Sequence, residues 1–227
     1  MAKGNRGGKT GSGGGGAKGE LTLPNGSKIE FEGTLNFGKA DSNVTGATRA
    51  AVEAWEAKRS KNKVEYGYSL NPDGTPIGNE VRGSKGSVRV PIYYHDTEDA
   101  IFTHIHPRGD GMLGGTFSNA DLRNFANFKN KTIRAAAPEG TYSISKTGKF
   151  DKAGFKQYAA DADAEFRKSI NAKTSSLNKD YRDGKIKYSE YTAGYAKAFN
   201  TSLVQLHEKL RAGQKTYGYE YTLEKRA

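Results

Sequence analysis

Helical periodicity over the last third of this 227-residue chain constrains the fold more than any other sequence feature. Apolar side chains recur three, four or seven residues apart in two successive runs, which puts them on one face of a helix. The runs are Phe155, Tyr158, Ala162, Phe166, Ile170, Leu177 and Tyr181, then Tyr188, Tyr191, Tyr195, Phe199, Leu203, Leu206 and Leu210. We predict two long antiparallel helices, with Gly213 as the stop signal of the second, and an edge strand from Thr216 to Leu223.

Short segments of strand character precede these helices. They are Val64–Leu70, Val81, Ser87–Pro91, Ala100–His106, Lys131–Ala137 and Thr141–Ser145, with a helix predicted from Ser118 to about Lys129. Nearer the N-terminus, alternation between Leu21 and Phe37 around Asn25-Gly26 predicts a β-hairpin, and good helix formers at about 45–60 predict one amphipathic helix. The expected fold is α+β, with a mixed central β-sheet flanked by helices and a C-terminal helical pair.

These patterns divide the chain into four parts. Residues 1–19 contain nine glycines, four Lys or Arg and no acidic residue, a composition that predicts a disordered basic tail. Residues 20–60 carry the N-terminal hairpin and helix, residues 61–150 the core sheet, and residues 151–227 the helical pair and terminal strand.

Composition narrows the chemistry. The chain has no cysteine, which excludes a thiol nucleophile and leaves any metal to His, Asp and Glu. A net charge of +11 fits either a solubilising surface or non-specific contact with nucleic acid through the basic tail. No apolar run approaches the roughly 18 residues of a membrane span, and no signal-peptide core is evident, so we expect a cytoplasmic protein without a membrane partner.

Two histidines stand out in the segment Thr103-His-Ile-His-Pro107. On a strand, His104 and His106 project from the same face and can reach one ion at about 2.0–2.1 Å. A His-x-His pair alone more often marks two half-buried histidines. Asp121 strengthens the metal hypothesis, because a glycine-rich loop and the helix start at Ser118 would return its carboxylate to the strand end. Ser118 and Asp121 also suit a helix N-cap, and capping would hold the carboxylate in place.

Phe102-Thr-His-Ile-His-Pro107 with Phe117-Ser-Asn-Ala-Asp121 resembles the JAMM motif of the JAB/MPN metalloprotease superfamily, especially the versions carried by bacteriophages and mobile elements. The resemblance implies a cytidine-deaminase-like layering, Zn²⁺ held by His104, His106 and Asp121, and a protein or peptide substrate cut at an amide bond. It further implies that Ser118 polarises the scissile carbonyl and that a Glu on an earlier strand shuttles protons. A phage-encoded chain would act in the host cytoplasm or the virion.

The proton-shuttling Glu has two candidates. Glu65 begins the strand predicted from Val64 to Leu70, and Glu80 is the alternative; an exposed strand carboxylate is the ordinary interpretation of Glu65. One departure from the family is the loop, because eleven residues separate His106 from Ser118 where about seven are usual. A remodelled substrate groove or a decayed site would both fit that longer loop.

Other functions stay open at this stage. The basic tail and the net charge also fit a structural or DNA-associated phage protein that keeps an inactive JAMM-like fold for interaction. A metal site together with basic charge also fits a metal-dependent nuclease. His95 is expected in a polar loop, and His207 is expected to decorate a helix. The chain has no nucleophile elbow and no phosphate-binding loop, so it lacks the motifs of serine hydrolases and P-loop enzymes.

Overall fold

The computed structural model describes residues 18–23, 25–107 and 111–225, so most of the predicted basic tail lies outside the described residues. Within these ranges the fold is α+β, with a six-stranded mixed sheet, a separate two-stranded hairpin and helices on both faces of the larger sheet. The elements in chain order are β1 Lys18–Thr22, β2 Lys28–Glu32, α1 Gly46–Arg59, β3 Tyr66–Leu70, β4 Val81–Arg82, α2 Tyr93–Asp96, β5 Ile101–Ile105, α3 Asn119–Asn127, β6 Thr132–Ala137, β7 Gly140–Lys146, α4 Lys152–Arg182, α5 Tyr188–Tyr217 and β8 Tyr219–Glu224.

The predicted N-terminal hairpin is confirmed. β1 and β2 pair antiparallel up to Thr22 opposite Lys28, and Gly26 takes the positive φ of 82° that the turn needs. The hairpin does not join the main sheet. Instead it covers α5, where the Glu32 backbone N–H donates to Thr201 Oγ1 at 3.0 Å.

The main sheet has the strand order β4-β3-β5-β6-β7-β8. β5 and β6 run parallel, with α3 in the crossover between them, and the other neighbouring pairs run antiparallel. β8 is the edge strand that alternation in the last residues predicts. β5 lies in the interior of this order, and all five of its residues are buried.

The strand predicted at Ser87–Pro91 is wrong. The backbone N–H of Ser84 donates to the carbonyl of Ser87 at 2.8 Å, which closes a tight turn where a ladder was expected. Val88 and Val90 still pack against the core, but from a loop. Their alternation therefore reflects burial of alternate side chains without strand pairing.

β5 separates two different environments. Ile101 and Ile105 pack toward α1, whereas Phe102 belongs to the main core on the opposite face, together with residues of α3, α4 and α5. Because successive side chains of a strand alternate, Thr103 faces α1 and His104 faces the other way.

A buried ion cluster occupies the α1 face. Arg134 is 1% exposed, and its guanidinium donates to Glu56 and to Glu224 in four hydrogen bonds of 2.8–3.2 Å. The hydroxyls of Thr103 and Thr141 also donate to Glu56, at 2.8 and 3.1 Å. Burial opposes the charge, but the two carboxylates raise the pKa of Arg134 above its ordinary value, so the cluster stays ionised.

The two predicted long helices, α4 and α5, form an antiparallel pair. The rings of Tyr181 and Tyr191 stack 4.7 Å apart near the short connection, and Phe166 meets Phe199 edge-on at 5.8 Å midway along the pair. At the far end the Tyr158 hydroxyl donates to a backbone carbonyl of α5. None of the helices in the described part of the chain combines the length and apolar character needed to cross a membrane.

Gly213 does not end α5, contrary to the prediction. The helix continues to Tyr217, and Gly218 ends it with a left-handed φ of 69°. A Cβ at Gly213 would lie 2.5 Å from the ring of Tyr158, so this glycine allows close packing of the two long helices.

Candidate metal centre

The two histidines of the motif converge at the end of β5. His104 is the fourth residue of the strand, and the backbone N–H of His106 donates to the carbonyl of Ala136 at 3.0 Å, which extends the ladder beyond β5. Both side chains therefore project from one face, with their Nε2 atoms 2.8 Å apart. His104 is almost completely buried, and His106 is partly buried.

The start of α3 brings the third ligand. Ser118 is the N-cap, and it forms a capping box with Asp121: its Oγ accepts from the Asp121 backbone N–H at 3.2 Å. Asp121 Oδ2 in turn accepts from the Ser118 backbone N–H at 2.8 Å and hydroxyl at 2.6 Å. Its Oδ1 lies 3.5 Å from His104 Nε2. Capping thus engages one carboxylate oxygen and leaves the other facing the histidines.

The chemistry of these donors fits a cation. Ligand atoms of His104, His106 and Asp121 lie within 4.8 Å of one another. His106 Nδ1 is 3.0 Å from the carbonyl of Gly115, and because a carbonyl can only accept, Nδ1 carries the proton and Nε2 presents its lone pair. Two imidazole nitrogens and a carboxylate oxygen thus meet at one point, where either a shared proton, as in the 2.8 Å contact between the two Nε2 atoms, or a bound cation would offset their mutual repulsion.

The ionisation states of the three side chains depend on one another. Burial opposes protonation of His104, but the Asp121 carboxylate overrides burial and raises the pKa of His104. Burial likewise opposes ionisation of Asp121, but the positive charge on His104 lowers the Asp121 pKa well below its ordinary range. Burial and the charge on His104 lower the pKa of His106 to about 4. The cluster therefore holds a carboxylate and one neutral imidazole, while His104 keeps its proton to a higher pH than an ordinary histidine and would have to release it to bind a metal.

Glu65 reaches the same centre through the register of β3. Gly67 pairs with His104 in the antiparallel ladder, and Glu65, two residues earlier, lies on the same face toward the His106 end. Its backbone is fixed because Glu65 N–H donates to the Ser84 carbonyl at 2.7 Å. Burial raises the pKa of Glu65 to about 7. The negative charge of Asp121 adds to this rise, and the positive charge of His104 opposes it. Glu65 is thus a partly buried carboxylate that can exchange a proton near neutral pH.

Glu80, the alternative to Glu65, lies outside the cluster. Its carboxylate accepts from Trp55 Nε1 at 2.9 Å and from Arg59 Nε at 3.0 Å, and Arg59 lowers its pKa even though burial opposes this. These bonds tie Glu80 to α1. Of the two candidates, the structure brings Glu65 and not Glu80 to the histidines.

The remaining two histidines differ from expectation. His95 lies in the short helix α2, buried against Phe102 with ring centroids 4.4 Å apart, and burial lowers its pKa to about 4. His207 does not decorate the surface of α5. It is fully buried, with Nδ1 2.9 Å from the Tyr221 hydroxyl and Nε2 3.0 Å from the Asn36 carbonyl. Both predictions failed because local polarity does not reveal which helix face the sheet covers.

A cavity of about 440 Å³ opens beside the candidate ligands His104, His106 and Asp121. Glu65, His106, Ser118 and Asp121 line it together with His95. Another wall is apolar and belongs to the long helix pair: Phe166, Phe199, Leu203 and Leu206. The periodicity of α4 and α5 predicted an apolar face but contained no signal that part of this face would border the site.

Family models, curated proteins and solved structures all lack a match to this chain.

Proposed function

We propose that this protein is a metal-dependent peptidase or isopeptidase of the JAB/MPN (JAMM) type, with zinc as its metal. One observation carries the proposal: His104, His106 and Asp121 present three ligand atoms to one point, and Glu65 borders the same cavity. Zinc hydrolases commonly bind their metal through two His and one carboxylate. These three ligands leave the fourth coordination position open for water.

The arrangement of elements supports the JAB/MPN assignment. The histidines end a buried strand, the carboxylate opens the helix that follows, and the sheet is covered by helices on both faces. Such a strand-to-helix return is what the motif Thr-His-x-His-Pro followed by Phe-Ser-x-x-Asp requires. The assignment includes the cytidine-deaminase-like layering that the resemblance implies.

A bound Zn²⁺ would act as a Lewis acid on the scissile carbonyl and lower the pKa of water to about 7. His104, His106 and Asp121 would hold it. His106 is prepared for this by its Nδ1 proton, which is directed to the Gly115 carbonyl.

Glu65 serves as the general base and then as the general acid. It accepts a proton from the attacking water as the C–O bond forms, and it gives a proton to the amide nitrogen as the C–N bond breaks. In the metal-free protein burial raises its pKa to about 7, so a bound cation, which lowers this pKa, would leave Glu65 mostly ionised and ready to accept the first proton at neutral pH.

Ser118 has a defined position and a proposed second task. Its hydroxyl donates to Asp121 Oδ2 at 2.6 Å, so its present bond orients the ligand. Stabilisation of the oxyanion, which the resemblance implies, requires the hydroxyl to turn from Asp121 toward the substrate carbonyl. That role stays a prediction.

The cavity favours a peptide over a small polar substrate. Its apolar wall, which includes Phe199 and Leu203, fits an aliphatic or aromatic side chain, while Glu65 and Asp121 lie on the polar side. The long helix pair would thus contribute to substrate binding.

Metal analysis of the purified protein tests the proposal most directly. We expect about one equivalent of zinc, lost in His104→Ala and retained in the control His207→Gln, which alters a buried histidine outside the cluster. A fluorogenic peptide library should be cleaved by the wild type, with a loss of about a thousandfold or more in His104→Ala, because the metal contributes several kcal/mol to the transition state.

Three outcomes would contradict the proposal in different ways. A protein without zinc, or a His104→Ala variant that retains it, would remove the metal site. Chelator-sensitive cleavage of DNA without cleavage of peptides would indicate a nuclease. Full biological activity of both Asp121→Ala and Glu65→Ala would indicate a structural or DNA-associated protein.

A further inference from the structure

Glu139 lies in the short turn between β6 and β7, where the sequence Ala137-Pro-Glu-Gly140 is typical of an exposed turn. Its side chain is nevertheless buried, with the residue 7% exposed. Its two oxygens accept from the backbone N–H groups of Gly114 and Gly115, each at 2.9 Å, and the Tyr142 hydroxyl donates to Oε1 at 3.0 Å. The carboxylate therefore binds two successive amides of the glycine-rich loop.

The loop that Glu139 holds also contacts the metal cluster. Gly115 donates its N–H to Glu139 and accepts from His106 Nδ1 through its carbonyl. Gly115 has a φ of 97°, and a Cβ there would lie 3.0 Å from Leu203, so any larger residue would be strained at this position. A continuous chain of hydrogen bonds thus runs from Tyr142 through Glu139 and Gly115 to His106.

We infer that Glu139 is a positioning residue for the metal centre. By fixing Gly115, it directs a carbonyl at His106 Nδ1, which keeps the proton on that nitrogen and leaves Nε2 free to bind the metal. This inference rests on the proposed metal site but not on the identity of the reaction. It also explains how a loop longer than the family's can still hold a ligand in register.

A carboxylate is the group that this position needs. Each oxygen accepts from one amide, and the negative charge strengthens both bonds in a buried setting. A glutamine at the same place has one acceptor and one NH₂ group, and the NH₂ group would face a backbone N–H. Glu139→Gln therefore keeps the volume but breaks one of the two loop contacts.

Asn200 of α5 provides a matched control, because it holds the part of the same loop that directly precedes Gly114. Its Oδ1 accepts from the Leu113 N–H at 2.9 Å, and its Nδ2 donates to the Gly111 carbonyl at 2.9 Å and to the Glu30 carbonyl at 3.1 Å. None of these bonds involves the residue that contacts His106. Asn200→Leu thus perturbs the loop and the fold without removing the connection to the metal ligand.

The experiment measures zinc affinity by chelator competition in the wild type, Glu139→Gln, Tyr142→Phe and Asn200→Leu. We expect a ten- to hundredfold loss for Glu139→Gln, a smaller loss in the same direction for Tyr142→Phe, and a change within about threefold for Asn200→Leu. In the metal-free proteins, ¹⁵N spectra of the histidine rings should report the Nδ1–H form of His106 in the wild type and a tautomer mixture in Glu139→Gln.

Equal losses of affinity in Glu139→Gln and Asn200→Leu would overturn the inference, because the loop would then act only through general order. An unchanged His106 tautomer in Glu139→Gln would overturn it as well. If Glu139→Gln does not fold, Tyr142→Phe decides through the same two measurements. Neither readout needs peptide cleavage, so failure of the peptidase proposal would appear separately, as zinc binding without hydrolysis.

Discussion

Two buried charged clusters lie on opposite faces of β5. Consecutive residues of the strand, Thr103 and His104, belong to one cluster each. On the α1 face, Thr103 joins Arg134 and Glu56 in a closed cluster where four guanidinium hydrogen bonds reach two carboxylates. On the other face, His104 and Asp121 belong to an open cluster whose ligand atoms converge beside a cavity. Burial alone therefore does not identify a functional site. The difference lies in whether the charges satisfy one another or leave electron pairs directed at a common point.

Replacing Glu65, the proposed general base beside the open cluster, should have the largest effect on function. Glu65→Gln removes proton transfer, so we expect peptide cleavage to fall about 10²–10⁴-fold while zinc stays bound. In the wild type the rate should rise with pH as Glu65 loses its proton. The midpoint should lie below 7, because a bound cation lowers a pKa that burial has raised to about 7. Initial rates between pH 4 and 9 measure both effects.

The same variant should increase the stability of the metal-free protein. The pKa of Glu65 is raised on folding from 4.5 to about 7, so the folded state binds more protons between these values and stability falls as pH rises through them. Glu65→Gln removes this loss, and we expect a gain of about 1–3 kcal/mol at pH 8. Urea unfolding at pH 4 and pH 8 measures it; a variant less stable than the wild type at pH 8 would contradict the assignment of Glu65 to a functional site.

Breaking the closed cluster should show the opposite pattern. Arg134→Met removes the buried guanidinium that Glu56 and Glu224 share, although Arg49 still pairs with Glu224 at 3.3 Å, and we expect a loss of about 3–5 kcal/mol in the free energy of unfolding. Zinc affinity, measured at a temperature where the variant is folded, should stay unchanged because the open cluster lies across the sheet. The triple variant Arg134→Met, Glu56→Leu, Glu224→Leu is the control, and it should recover most of the loss. Loss of zinc from a folded Arg134→Met variant would instead show that the two clusters are functionally coupled.

His207 sharpens the comparison with a smaller effect. It lies on the face of the open cluster, but both ring nitrogens have partners, Tyr221 and Asn36. Burial lowers its pKa from 6.5 to about 4, so the unfolded chain binds more protons between these values and His207 lowers stability as pH falls. His207→Gln should reduce the slope of stability against pH in this window by up to about 1.4 kcal/mol per pH unit. Identical slopes in the two proteins would show that His207 is not buried as a neutral ring.

Sequence patterns predicted the parts of the molecule that depend on local periodicity. The hairpin, α1, β5, the β6–β7 pair, the long helices and the edge strand all follow from spacing and turn residues, and the His104–Asp121 motif placed a candidate metal site at a strand end. The strand predicted at Ser87–Pro91 was wrong, because its alternating apolar side chains are buried from a loop. Gly213 misled because the sequence does not distinguish a glycine that ends a helix from one that admits a neighbouring ring.

Long-range contacts account for what the sequence could not indicate. Glu139 resembles any turn carboxylate until the fold brings Gly114 and Gly115 to it. The choice between Glu65 and Glu80 likewise depended on register, since pairing of Gly67 with His104 decides which carboxylate reaches the histidines. Such facts arise from chain segments that meet only in three dimensions.

The capping box at the start of α3 has a consequence for how the proposed site would capture a metal. The Asp121 carboxylate already accepts two hydrogen bonds from Ser118, so its rotamer is fixed when the helix forms. An ion that arrives at the site does not have to restrict a freely rotating side chain. The conformational entropy of that ligand is lost during folding instead of during binding, which favours rapid and tight loading of a folded protein and weak binding to an unfolded chain.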